Sequence, residues 1–199
     1  MRKIIVFLAS VMLLASCNDS AKKVVVMSKG PAEINTDTKT ITAKDGAGHE
    51  EKVAVFGGGK VSFKLSTPAG EATVELLENG LYIINVKNDT IIGSYQKYSD
   101  PKQAQHIMTQ ENLKLRIDSL QLLSEGKNVN TSNRNFFILP NQATRITGNN
   151  DAMIVGPYHQ MTSAEKKGGK EPEVYRFYSI KEIREMISKL QVLATPKKI

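Results

Sequence analysis

The side chains that could do chemistry in this chain are few and far apart. Its three histidines, His49, His106 and His159, fall in a polar turn, near a helix start and in a loop. A zinc site wants ligands at a short local spacing, such as two histidines four apart on one helix face, and no pair here has it. His49-Glu50-Glu51 would hold a metal ion loosely at most and reads as an exposed polar turn. In "FGGGKVS" the Gly59-Lys60 pair lacks the first glycine of a phosphate-cradling loop, and Val61 stands where Ser or Thr is required. The segment reads instead as a triple-glycine hairpin. For acyl transfer there is no Gly-x-Ser-x-Gly elbow. Ser163 to Lys166, "SAEK", matches Ser-x-x-Lys by chance in a loop that lacks the companion motifs. Paired carboxylates of a glycosidase are defined by a distance in space that spacing does not reveal, and no Trp is present to form a sugar platform. These residues therefore assign no catalytic group, no metal ligand and no cofactor.

The single cysteine, Cys17, stands in "LLASCNDS". Arg2 and Lys3 form a positive n-region, Ile4 to Leu14 an apolar h-region, and Ala15 and Ser16 are small residues of the cleavage-site kind, so residues 1–16 read as a secretion signal. The apolar run is shorter than the roughly 18 to 20 residues that cross a bilayer as a helix. Leu14-Ala15-Ser16-Cys17 resembles the bacterial lipobox. That resemblance implies that Cys17 becomes the first residue of the mature chain, with a diacylglyceryl thioether on its sulfur and an acyl group on its nitrogen. One acyl chain binds a membrane only marginally, whereas several anchor stably. With Cys17 lipidated, no disulfide and no thiolate ligand remains, and burial alone must stabilise the fold.

The residues after Cys17 lack the acidic run of surface-displayed Bacteroidota lipoproteins, which points to the periplasmic face of the outer membrane. The Asn- and Lys-rich, Trp-free composition and the segment "ENLKLRIDSL" are similar to envelope lipoproteins of Bacteroidota with no assigned role. Lys and Arg outnumber Asp and Glu by 27 to 20. Much of the excess lies near the C-terminus, in "EKKGGKE" and "PKKI". Lys166, Lys167 and Lys170 are the candidate contacts for an anionic envelope polymer or lipid headgroups. The competing reading is a solvated loop and a frayed tail. Nucleic acid is not expected as a partner, because no basic stripe with interleaved aromatics occurs.

The elements that must position these residues fall into two regions, giving an α+β fold. Residues 17–30 hold an anchored linker and a first strand, and residues 31–99 an antiparallel β unit. Short β-forming runs, "KVVVM", "KTITAK", "KVAVF", "KVSFKL", "ATVELL", "LYIINV" and "TIIGSY", predict six or seven strands in a meandering sheet or small sandwich. Asn79-Gly80, Gly57-Gly58-Gly59 and Asn88-Asp89 are the expected hairpin turns.

Residues 100–199 hold a central helix, a loop-rich region and a C-terminal helix. Asp100-Pro101 is an N-cap followed by a first-turn proline, which predicts a helix from there to about Ser124. Its apolar residues form two sides, Ala104, Met108, Leu115 and Leu122 against Leu113, Ile117 and Leu120. Such a helix lies between two layers or offers one side to a partner. "NFFILP", "AMIVGPY" and "EVYRFYS" read as extended pieces, and Ser179-Ile180-Lys181-Glu182 as a capping box that opens an amphipathic helix ending near Pro196. Tyr158, Tyr175, Phe177, Tyr178, Phe136 and Phe137 would pack as core or line a groove. The functional expectation is a lipid-anchored, non-catalytic envelope component that binds or scaffolds a protein or polymer. Two alternatives are a hydrolase assembled from distant residues and a binder of anionic glycan or lipid.

Overall fold

The computed structural model describes residues 21–96, 109–130, 132–156 and 171–195. Cys17, Asp100, Pro101, Ala104, His106, Met108, Tyr158, His159, Ser163, Lys166, Lys167, Lys170 and Pro196 lie outside the described residues. The elements run β1 (Lys22–Ser28), β2 (Ala32–Asn35), β3 (Thr40–Ala43), β4 (Glu50–Phe56), β5 (Val61–Thr67), β6 (Gly70–Leu76), β7 (Gly80–Asn85), β8 (Ile91–Gln96), α1 (Gln110–Ser124), β9 (Asn135–Ile138), β10 (Gln142–Thr147), β11 (Met153–Val155), β12 (Val174–Ser179) and α2 (Ile180–Ala194). The class is α+β, as the sequence implies.

The strands form three four-stranded sheets, ordered β10-β7-β1-β4, β2-β3-β5-β6 and β11-β12-β8-β9. The first is central because its two inner strands, β1 and β7, are apolar on both faces. Val24 and Val26 of β1, with Tyr82 and Ile84 of β7, pack against Ile41, Phe63, Leu65 and Leu76 of the second sheet. The alternate residues Val25, Met27, Leu81 and Ile83 pack against Ile91, Phe136, Ile138, Tyr175 and Phe177 of the third. Successive strand residues point to opposite faces, so the unbroken runs "VVVM" and "LYIIN" feed two cores at once. The third sheet turns its other face, with Ile92, Phe137 and Tyr178, to Leu113, Ile117, Ile183 and Ile187 of the helices. The result is four layers: sheet, sheet, sheet, helices. The aromatics other than Tyr158 are thereby layer-to-layer packing.

Two expectations change. The three turn signals do not close hairpins: Gly57–Gly59 carries the chain from β4 in the central sheet to β5 in the second, Asn79-Gly80 returns it from β6 to β7, and Asn88-Asp89 passes it from β7 to β8 in the third. Pairing therefore skips along the chain, and three ladders, β1 with β7, β3 with β5 and β11 with β12, are parallel. A meander leaves one sheet face wet, whereas β1 and β7 have no wet face to offer. The described part of the central helix starts at Gln110, with Thr109 in extended geometry as its N-cap. Leu113, Ile117 and Leu123 are buried and Leu120 is packed beside them, but Leu115 and Leu122 stay 61% and 42% exposed. The cause is position: α1 lies in the outermost layer, beside α2, with nothing of the described chain above it. The capping box at α2 forms as the sequence implies, with Ser179 Oγ accepting from Glu182 N and Glu182 Oε2 accepting from Ser179 N.

Gly93 of β8 pairs directly with Phe177 of β12. A Cβ at Gly93 would lie 2.0 Å from Phe177 Cε1, so the ring fills the space a side chain would need. Overpacking of this kind costs about 1–3 kcal/mol. Gly93→Ala should lower the unfolding free energy measured by urea titration by at least the low end of that range, and an unchanged midpoint would show that the third sheet is not packed on Phe177 as described.

Candidate functional site

One end of the central sheet gathers polar groups that are far apart in sequence. Asn85 closes β7 and is fully buried. Its Oδ1 accepts from Lys87 N at 3.1 Å, and its Nδ2 donates to the carbonyls of Asp89 and Ile138 at 2.8 and 3.0 Å. This Asx-type turn fixes the backbone of Lys87, and Val86 N, bonded to Met27 O, keeps the turn on the end of β1. Lys87 is only 6% exposed. Its Nζ lies 2.8 Å from His49 Nδ1, and His49 Nε2 lies 2.8 Å from Glu51 Oε1.

His49 reaches this place because the loop before β4 folds onto the loop after β1. Gly48 N donates to Lys29 O at 2.9 Å. A Cβ on Gly30 would sit 2.6 Å from Asp45 O, and one on Gly46 2.7 Å from Gly30 Cα, so the approach needs glycine on both sides. Glu51 is two residues on from His49, on the same side of an extended segment. At the end of β11, a Cβ on Gly156 would lie 2.9 Å from His49 Nε2 and 3.0 Å from Glu51 Oε1, so bare backbone backs the pair closely.

Lys87 Nζ donates to His49 Nδ1, which must then be the unprotonated ring nitrogen. Nε2 carries the hydrogen and donates it to Glu51. This tautomer is assigned from the hydrogen-bond network. Lys87 and His49 line a cleft of about 360 Å³, whose other walls include Lys29, Asp89, Lys181 and Glu185, while Glu51 stands behind the imidazole. Burial pushes the Lys87 amine below its ordinary pKa. Glu182 opposes that shift, Lys29 adds to it, and Glu51 and Asp89 oppose it further. The order of roles, an amine hydrogen-bonded to an imidazole that a carboxylate orients, is that of a nucleophile, its base and the group that positions the base.

The structure thus corrects the reading of His49-Glu50-Glu51 as an exposed turn: the folded-back loop and the end of β11 cover it. Lys87 carried no local motif, because its partners are 38 and 36 positions away. The signal available was a lysine directly after "LYIINV", a run in which only Asn85 is polar, where a charged side chain must either leave the core or find a partner within it. Among the described residues, no group of three or more His, Cys, Asp or Glu is placed to hold a metal ion.

The opposite end of β1 is also polar, but it is a brace. Lys22 is fully buried and donates to Gly59 O and Asn79 Oδ1, holding the two crossover turns together. Glu173 accepts from Tyr175 Oη at 2.5 Å, Thr147 Oγ1 at 3.2 Å and Asn149 Nδ2 at 3.1 Å, which ties β12 to β10. Burial and the Glu173 carboxylate push the Tyr175 hydroxyl well above its ordinary pKa. The chain matches no model of a known protein family, no curated protein and no solved structure. No helix of the described residues is long and apolar enough to cross a membrane.

A depressed lysine pKa has a definite sign in stability. Between the folded value and about 10.4 the unfolded chain binds more protons than the folded one, so stability rises with pH through that window. Urea unfolding of wild type and Lys87→Met, compared from pH 7 to 10.5, should show wild type gaining on the variant as pH rises. A difference that stays flat would mean that Lys87 is not desolvated in the folded state.

Proposed function

We propose that the protein is an outer-membrane lipoprotein on the periplasmic face, anchored through lipidated Cys17, with a non-catalytic binding role carried by the cleft around Lys87. One observation carries this reading: β1 starts at Lys22, close behind Cys17, and ends at Ser28 beside the cleft residue Lys29. Five residue steps reach at most about 18 Å. The anchor therefore holds the Lys22 end, with Asn79, Asn149 and Glu173, near the lipid headgroups. A seven-residue strand spans about 20 Å, so the cleft points away from the membrane, toward solutes of the compartment. Contact of Lys166, Lys167 and Lys170 with an anionic polymer rests on their charge in the sequence.

Because Cys17 is the only cysteine, lipidation leaves engineered thiols free for labelling. In vesicles bearing the lipidated chain and a headgroup quencher, a fluorophore at Asn149→Cys should be strongly quenched and one at Lys181→Cys weakly. Cys17→Ala should release the protein into the aqueous phase. Equal quenching at the two sites would overturn the orientation, and membrane retention of Cys17→Ala would overturn the anchor.

A further inference from the structure

We propose that the cleft captures small aldehydes or ketones covalently, with Lys87 as the amine that forms an imine and His49 as the base that moves its proton. The inference rests on the reading of this cleft as a binding site and names the ligand chemistry; it does not depend on the lipid anchor.

Imine formation needs an amine that is unprotonated, accessible and relieved of a proton as it attacks. Lys87 is enclosed by the ends of β1, β4 and β7 and by the first turn of α2, yet it lines an open cleft. Its Nζ is in hydrogen-bond contact with a nitrogen that accepts a proton, and the far side of that ring is held by a carboxylate. The Nζ lone pair forms the new C–N bond as the carbonyl π bond opens onto oxygen. An N–H proton passes to His49 Nδ1, and the resulting imidazolium is stabilised by Glu51. His49 returns that proton to the alkoxide oxygen, giving the carbinolamine; the second N–H proton then follows the same route through His49 to the hydroxyl, which leaves as water while the C=N bond forms. The net change is amine plus carbonyl to imine plus water, with no oxidant or reductant. Glu51 acts through His49 and is a positioning residue.

The charged groups facing Lys87 come from every element around it: Glu51 on β4, Lys29 after β1, Asp89 after β7 and Glu182 on α2. Three of the four are acidic, so the iminium form of the adduct meets compensating charge. A lysine placed as a mere structural brace would instead direct its amine at carbonyl and amide oxygens, as Lys22 does at Gly59 O and Asn79 Oδ1.

The test uses the full chain at pH 7.5 with glyoxylate or 4-carboxybenzaldehyde and cyanoborohydride, below one equivalent of aldehyde, followed by peptide mapping. Lys87 should be reductively alkylated at least tenfold faster than the exposed Lys52 and Lys64. A general base typically contributes 10²-fold or more. His49→Gln should therefore slow labelling of Lys87 by about 100-fold and leave Lys64 unchanged. Labelling of Lys87 no faster than Lys64 in the wild-type chain would overturn the proposal without recourse to any variant. Benzoate, which cannot form an imine, separates the two readings: if it perturbs the His49 resonances while Lys87 resists trapping, the cleft binds ligand but the imine chemistry is wrong. If neither occurs, the binding site itself is wrong.

Discussion

A central sheet with no solvent-facing side governs this molecule. β1 and β7 pair in parallel, are buried at every position but Lys23, and carry apolar runs that point to both faces, so both faces must be covered. Full burial of a Val, Leu, Ile or Met side chain is worth about 1.5–3 kcal/mol, and these two strands bury Val24, Val25, Val26, Met27, Leu81, Ile83 and Ile84. The two outer sheets exist to take up that surface, and the helices cover the face that the third sheet would otherwise expose. Each layer is thus required by the one inside it, and the outward row of α1, with Leu115 and Leu122, is where the sequence of coverings stops.

The same constraint decides where polar chemistry can stand. Inside the stack an unpaired polar group costs free energy, so such groups collect where strands leave the sheet. Lys22 and Lys87 mark the two ends of the β1–β7 pair, and they are treated differently. The amine of Lys22 is spent on a carbonyl and an amide oxygen of crossover turns, whereas that of Lys87 is spent on an imidazole whose other nitrogen is already engaged. A carbonyl accepts a hydrogen bond and keeps it; an imidazole can accept the proton itself. That difference separates a brace from a reactive group.

Much of the fold is legible in the sequence, and the failures have physical causes. β5 alternates apolar and polar residues because one of its faces is wet, and the capping box of α2 is a local motif that forms locally. β2 and β10 escape notice because "AEIN" and "QATRIT" are short or polar, and their pairing is supplied by neighbours rather than by their own pattern. Asn79-Gly80 has the composition of a tight turn, yet it serves a crossover. Gly80 is needed there because a Cβ would meet Thr147 O at 2.4 Å, a contact made 67 positions away. The candidate site is the least legible part. His49-x-Glu51 is visible as a pair, but its meeting with Lys87 depends on two glycines letting one loop lie on another and on Asn85 bending the chain after β7.

The chemistry of the cleft depends most directly on the hydrogen-bond order Lys87, His49, Glu51. Nitrogen-15 NMR of the imidazole side chains at neutral pH reads it without any ligand. The prediction is a His49 ring with Nε2 protonated and Nδ1 at the shift of a hydrogen-bond acceptor, and with a change in Nδ1 when Lys87 is replaced by Met. A ring protonated at Nδ1, or one indifferent to residue 87, would contradict the account, because His49 could then neither accept from the Lys87 amine nor relay its proton.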